Sequence, residues 1–444
     1  MKKTVLTSLI CLLIGPIFAQ EGFQFEENVN KISIPFQLIN NLIILPIKVN
    51  GIELNFLLDT GVAETILFSL DDKKEVRVFN TEKILFKGLG SQRAVEGLKS
   101  TNNLLEFGTM KYRNHMLYII LDQEFNLSSY IGIPVNGIIG YQFFRNSLVK
   151  INYGSKKVII YKDEDLYRKK IEKKYKKIPI SVENSKPYLQ STIVQKDKEI
   201  PVKLLIDIGN SDALWLFQDR SELIKIPTKN FEDFLGRGFN GDIKGKRGLV
   251  NKFKMDVFEF DAPIAAFPDS ISIKNVSMVA DRMGSVGAEI MKRFAIVFDY
   301  QNNHIYVKKN SNYKEPFSYN KSGIEIQQSG LQWIQQETVR MVMVQQSSNY
   351  NDSGGVRINT NEFKYKFELK PIYEIAYVRP NSPAALAGLQ TGDIILSINN
   401  NPIYKRTLQE INQLFKTEEE KLITIKVERN RMNLIFSFQL YNIL

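Results

Sequence analysis

The residues best suited to chemistry in this chain are two aspartates, each delivered by an apolar run into a glycine turn. The first stretch reads Phe56-Leu57-Leu58-Asp59-Thr60-Gly61 and is followed by Thr65-Ile66-Leu67-Phe68. The second begins 148 residues later as Leu204-Leu205-Ile206-Asp207-Ile208-Gly209 and is followed by Ala213-Leu214-Trp215-Leu216-Phe217. An aspartate in such company is costly to bury alone. Two of them face to face can share one proton, because like charges in contact do not both ionise. Such a pair can hold a water, take its proton with the ionised carboxylate and polarise a peptide carbonyl with the neutral one. That chemistry needs no metal and no cofactor. The two histidines, His115 and His304, stand beside no glycine-framed serine, and the acidic residues form no metal-loop spacing with them.

The elements that must position these loops can be read on either side of them. Asn50-Gly51 is a two-residue hairpin signal between Ile47-Lys48-Val49 and Ile52-Glu53-Leu54-Asn55-Phe56, both of alternating pattern. The second arm runs straight into Asp59, so the loop hangs from the end of a strand. Further strands are expected at 104–107 and 116–120, and a terminal hairpin at 149–153 with 157–161. An apolar-apolar-glycine step, Ile138-Ile139-Gly140, follows the first loop, and Ser285-Val286-Gly287 stands in the matching place after the second. Ile178-Pro179-Ile180 likewise answers Ile34-Pro35-Phe36, and 296–300 answers 149–153. The chain therefore carries an internal duplication, residues 30–162 and 178–310, joined by a basic linker at 163–177. Gly236 to Gly241 spells a dinucleotide fingerprint but lacks the strand before it and the helix after it. It is read instead as the second half's counterpart of the glycine-rich stretch 88–97.

Asp59-Thr60-Gly61, the downstream Ile138-Ile139-Gly140 and the duplicate of both resemble the retropepsin-like and pepsin-like aspartic proteases over residues 30–310. The resemblance implies a mainly β, two-lobed acid-protease β-barrel body built by internal duplication. It implies that Asp59 and Asp207 are the catalytic pair. Thr60, Gly61, Gly209 and Asn210 would support their loops, as would Ile139, Gly140, Val286 and Gly287 from the crossing strands. It makes Gly88, Gly90 and Gly97 a candidate flap, although an ordinary surface turn accounts for the same glycines. One position departs from the family pattern: Ile208 replaces the second loop's hydroxyl residue, so only Thr60 can bond across. The loss is one hydrogen bond, about 1 kcal/mol. Asn210, three residues after Asp207, is placed to donate to the outer carboxylate oxygen. Two readings follow: an aspartic endopeptidase acting on peptide or protein substrates, or a catalytically weak or inactive protease-like peptide-binding protein.

Length and composition bound the rest. A chain of 444 residues with 43% hydrophobic residues predicts two to four domains with several cores. Residues 1–19 read as a signal peptide: Lys2 and Lys3, an apolar run from Val5, then Phe18-Ala19. Its apolar run is short and broken by Gly15-Pro16, and no transmembrane segment is expected in the mature chain, which is read as exported to a bacterial periplasm or beyond. The one cysteine, Cys11, lies in that leader, so a mature chain would have no disulfide or thiol chemistry. The net charge of +11 falls to +9 when Lys2 and Lys3 are removed. Much of the excess sits in residues 168–177, read as a solvated linker or short helix rather than a nucleic-acid patch. A monomer is expected.

From Ile324 the chain changes character. After a polar loop at 345–362, Tyr373 to Val378 leads into Arg379-Pro380-Asn381-Ser382-Pro383-Ala384-Ala385-Leu386-Ala387-Gly388-Leu389 and then Thr391-Gly392-Asp393-Ile394-Ile395-Leu396-Ser397-Ile398-Asn399. Ser382 can cap a helix that Pro383 starts and Gly388 ends, and Asn400-Asn401 supplies a turn. A second helix is expected at 407–415 and last strands at 422–427 and 434–440. This segment resembles bacterial PDZ domains, which places a PDZ domain at 324–444. The resemblance implies binding of a protein C-terminus or other extended peptide by strand addition. Phe367-Glu368-Leu369 is the candidate carboxylate loop, although Pro371 intrudes and the usual glycine-rich form is absent.

Overall fold

The computed structural model describes residues 22–68, 75–86, 95–121, 126–162, 165–238, 241–274, 276, 278–339, 363–417 and 420–444. These fall into two compact units: one runs to Tyr319 and takes in Ile443 and Leu444, and the other is Asn320–Asn442. The leader and the loop 345–362 lie outside the described residues. Among the described residues no helix is long and apolar enough to cross a membrane.

The first half of the larger unit consists of β1 (Lys31–Pro35), β2 (Gln37–Ile39), β3 (Leu42–Val49), β4 (Ile52–Leu58), β5 (Thr65–Leu67), β6 (Glu82–Phe86), β7 (Val95–Phe107), β8 (Met110–Ile120), β9 (Gly137–Ile139), β10 (Ser147–Asn152) and β11 (Lys157–Lys162). Asn50 (φ 49°) and Gly51 (φ 89°) are both left-handed, the turn that matches strand twist in a hairpin. The second half consists of β12 (Lys176–Pro179), β13 (Ser181–Glu183), β14 (Lys186–Gln195), β15 (Lys198–Asp207), β16 (Leu214–Leu216), β17 (Asn230–Gly238), β18 (Gly241–Leu249), β19 (Lys252–Met255), β20 (Phe258–Asp261), β21 (Ile264–Pro268), β22 (Arg282–Gly287), β23 (Phe294–Asp299) and β24 (His304–Lys309).

The two halves repeat one strand order. The first sheet runs β6-β7-β8-β5-β9-β4-β3-β2, and the second runs β17-β18-β21-β16-β22-β15-β14, then β19-β20. The long β7 bends back to pair with β3 at Leu105 and Glu106. In the second half that role falls to the separate β19, which pairs with β14. A third sheet joins the halves in the order β1-β11-β10-β23-β24-β12. Its seam pairs Val149 with Phe298 and Ile151 with Ile296. The matched Ile-Pro segments form its two edges. One apolar cluster, including Leu58, Ile151, Ile206, Val286 and Phe298, runs through all three sheets.

The basic run is part helix and part strand. The helix Asp165–Glu172 buries Ile171, and Arg168 Nε donates to Asp299 Oδ2 at 2.9 Å. Lys176 then opens β12. The candidate flap is a hairpin of β6 and β7, in which Gly97 pairs with Ile84. Gly88 and Gly90 lie outside the described residues. β17 and β18 hold the same outermost place in the second half and close at Gly238 opposite Gly241.

The smaller unit has β25 (Ile324–Val339), β26 (Phe363–Val378), β27 (Ile394–Ile398), β28 (Asn401–Pro402), β29 (Leu422–Arg429) and β30 (Met432–Gln439). Its main path is β25-β26-β27-β29-β30, around a core of its own that includes Tyr373, Ile375, Ile411 and Phe415. Ser382 Oγ accepts from Ala385 N, and Gly388 ends that helix at φ 98°. The helix Leu408–Leu414 starts with a capping box between Thr407 and Glu410. The hairpin turn falls on Asn399 and Asn400, one residue earlier than the sequence suggests; both take left-handed φ, which asparagine tolerates.

Candidate functional site

Each aspartate ends a strand that is buried on both faces, and each loop is crossed from behind by its apolar-apolar-glycine strand. β9 runs parallel to β4, with Leu58 opposite Ile139, and antiparallel to β5, with Thr65 opposite Ile139. In the second half β22 runs parallel to β15, with Asp207 opposite Gly287, and antiparallel to β16. Glycine is required at the crossing. A Cβ on Gly140 would stand 1.8 Å from Val62 O, and one on Gly287 2.2 Å from Asp212 O. Equivalent bonds tie each crossing to its loop: Tyr141 N to Val62 O at 3.0 Å, and Ala288 N to Asn210 O at 2.7 Å.

This duplication brings the two carboxylates into contact. Asp59 and Asp207 are hydrogen-bonded to each other. A Cβ on Gly209 would lie 2.2 Å from Asp59 Cγ, and one on Gly61 3.2 Å from Asp207 Cγ. Gly61 N donates to Asp59 Oδ1 at 2.7 Å. Burial, then the negative charge of Asp207, pushes Asp59 up to about 8, against the pull of the Gly61 N–H and Lys186. Asp207 is also raised by burial, but Arg282 opposes the rise first, then the bond from Asp59, Lys186 and the Gly209 N–H. The pair thus keeps one shared proton into the neutral range.

Thr60 is fully buried, and its one hydroxyl serves both directions. It donates to Ile206 O at 2.6 Å and accepts from Ile208 N at 3.1 Å. The reciprocal bond is missing because the side chain of Ile208, also fully buried, has no polar atom to return it. Asn210 does not do what its spacing suggests. Its Oδ1 accepts from Asp212 N at 3.0 Å, a local turn that competes with reaching the carboxylate. Ile139 and Val286 are core residues of the crossing strands.

Several residues around the pair were not picked out from sequence. Asp212 accepts from Trp215 Nε1 at 2.8 Å and from Arg247 at 2.7 Å, and Arg247 also bonds Asp233 at 2.7 Å. This half-buried triad roots the β17–β18 hairpin in the Asp207 loop. The hairpin's other end reaches the first half, where Arg237 donates to Tyr130 Oη at 2.9 Å and Phe234 stacks on the Tyr130 ring. Asn41 in the first half bonds Ser211 O and Glu289 Oε2 of the second at 2.9 and 2.8 Å. The one available signal was a charged residue inside an apolar strand or loop, as at Arg282 and Asp212. His115 is buried beside Thr65 Oγ1 at 2.8 Å, and burial lowers it to about 3, so it is neutral at ordinary pH.

In the smaller unit the expected carboxylate loop is corrected. Phe367, Glu368 and Leu369 lie within β26, paired in register with Gln335, Ile334 and Trp333. Pro371 fits that strand because β26 pairs with β27 only at Tyr373 and Glu374, leaving the edge beside Pro371 open. Phe367, Leu369, Leu331 and Trp333 are exposed on this hairpin. Among the described strands the main path ends at β30 on one side and, on this hairpin's side, at the edge strand β25. A peptide added antiparallel there would end at the turn Asn320–Gly323. The amides of that turn are already engaged: Lys321 N with Phe415 O, Ser322 N and Gly323 N with Asn320 Oδ1, and Ile324 N with Ser322 Oγ.

Residues 374–429 match the family model of the PDZ domain, so this unit contains a PDZ domain, a peptide-binding module. No curated protein matches the chain. Among solved structures, that of an aspartic proteinase from Irpex lacteus is similar over 64% of this chain and 99% of that chain, at 11% identity and a TM-score of 0.42. That likeness is too slight to carry weight beside the geometry of the two loops.

Proposed function

We propose that the larger unit is an aspartic endopeptidase, exported by its leader, with the PDZ domain recruiting or regulating access of peptide substrate. The observation that carries this is the contact of two half-buried carboxylates at the ends of duplicated strands, one of them holding its proton to about 8. Asp207, the ionised member, takes a proton from a bound water, which attacks the peptide carbonyl. Asp59 donates its proton to the carbonyl oxygen; as the carbon–nitrogen bond breaks, Asp207 passes the water's proton to the amine and a hydroxyl of the tetrahedral intermediate returns a proton to Asp59. Thr60 and the crossing strands hold the two loops in register, so the carboxylates need not reorganise during the reaction.

The second reading, a protease-like peptide-binding protein, is favoured by one feature: Ile208 returns no bond across the pair. The deciding experiment is digestion of a mixed peptide library from pH 3 to 8 by the mature protein and by its Asp207→Asn variant. Cleavage by the wild type that the variant lacks supports the endopeptidase. No cleavage by either, with peptide still bound, supports the binding protein.

A further inference from the structure

Arg282 is a buried cation of an unusual kind for this molecule. It is 6% exposed, yet among the described residues it makes no ion pair. Its hydrogen bonds go to neutral groups: Nε to Gly284 O at 3.0 Å and a terminal nitrogen to Ser285 Oγ at 2.8 Å, with its guanidinium 5.2 Å over the Phe217 ring. Other buried cations of this unit each hold a carboxylate. Lys203 has Glu183 and Asp281, Arg247 has Asp212 and Asp233, and Arg293 has Glu289. A buried charge without compensation costs several kcal/mol, so an unpaired guanidinium implies a counter-charge nearby.

Strand register shows where that counter-charge sits. Arg282 begins β22, opposite Lys203, but its side chain runs forward along the strand to Ser285. Ser285 is level with Leu205 on the parallel β15, on the same strand face as Asp207 and two residues short of it. Two residues of strand are about 7 Å. The other groups that face this place are Lys186 and Tyr188 on β14, Arg220 of the turn Gln218–Arg220, and Tyr300 next to Asp59. Tyr188 and Tyr300 are neutral hydroxyls, and burial raises both. Arg220 repels Arg282 rather than compensating it.

We infer that Arg282 is the fixed counter-charge of the aspartate pair: it makes Asp207 the charged member, leaves the proton on Asp59, and so assigns base and acid before substrate binds. This rests on the endopeptidase reading for its catalytic meaning, but the charge assignment stands independently of turnover. Arg282 is a positioning residue that acts through the field at Asp207. At a separation of about 7 Å, taken from strand rise, and an effective dielectric near 20, one positive charge lowers a carboxylate by about one to two pH units.

The test replaces Arg282 by Gln, which keeps donors for Gly284 O and Ser285 Oγ but removes the charge, and by Lys, which keeps the charge. Arg282→Met serves as a second neutral variant if the Gln variant does not fold. Carboxyl resonances of the Asp59–Asp207 pair are titrated in protein labelled with carbon-13 aspartate, with Asp59→Asn and Asp207→Asn assigning them. The pH profile of kcat/KM is measured alongside. Arg282→Gln should raise the first ionisation of the pair, and with it the acid limb of the profile, by about one to two pH units, and Arg282→Lys should restore both. A folded Gln or Met variant whose first ionisation does not move overturns the inference, even if activity falls at every pH. If the wild type cleaves nothing, the endopeptidase reading fails, and the resonance titration still decides the charge assignment.

Discussion

Replacing Asp59 by Asn should make the larger unit more stable at neutral pH, by an amount that vanishes in acid. In the folded protein Asp59 is raised from its ordinary 3.8 to about 8. Its unfolded counterpart loses its proton above 3.8, while the folded group keeps it, so the unfolded state binds fewer protons across this window. Stability attributable to Asp59 is therefore complete below pH 3.8, falls as pH rises, and levels off above 8. The window spans about four pH units at 1.36 kcal/mol each, which caps the loss at about 5 kcal/mol for this half-buried group. Asparagine has no such proton, so the difference between the two proteins reports the proton shared by the Asp59–Asp207 pair. The assay is urea unfolding at pH 4 to 8, followed by Trp215 fluorescence. The chain has two tryptophans, and a Trp333→Phe background leaves Trp215, 7% exposed in the larger unit, as the reporter. The variant's advantage should be small at pH 4 and reach several kcal/mol at pH 8. An advantage equal at both ends would refute the shared-proton account of the pair.

Two further outcomes follow from bonds in the structure. Thr60→Val leaves Ile206 O and Ile208 N buried without their partner and should cost about 2–3 kcal/mol in the same assay, with Thr60→Ser recovering most of it; a Val variant as stable as the wild type would show that the cross-loop bonds carry nothing. In the smaller unit Asn320 Oδ1 holds the amides of Ser322 and Gly323, so a peptide acid and its carboxamide should bind alike, measured by anisotropy on the full chain carrying Asp207→Asn. Asn320→Gly frees those amides and should favour the acid by about tenfold; a wild type that already prefers the acid tenfold would contradict this.

Much of the site was legible along the chain. The hairpin at Asn50-Gly51, the strand into Asp59, the duplicate at Asp207 and the two glycine crossings are local patterns, and local backbone sterics and periodicity are enough to set them. The matched offsets also foretold two halves of one strand order. The departures came from residues whose partners lie elsewhere in the chain. Phe367 to Leu369 look like a loop beside Pro371 until β25 supplies a pairing partner. Asn210 looks free to reach Asp207 until its own loop claims its oxygen. Arg237 and Tyr130 meet only because the β17–β18 hairpin of one half is folded toward the helix Leu127–Ile131 of the other.

The sequence by itself determined that two aspartates are presented on strand ends by equivalent apolar-glycine loops, because those choices depend on residues within a few positions of each other. Only the tertiary structure decided that the carboxylates touch and that one of them holds the proton. It also decided that Arg282 sits unpaired beside the pair. Charge and burial act through space: the field at Asp207 is set by Arg282, 75 residues away in sequence but about two residues distant along the neighbouring strand, and no local pattern records that proximity.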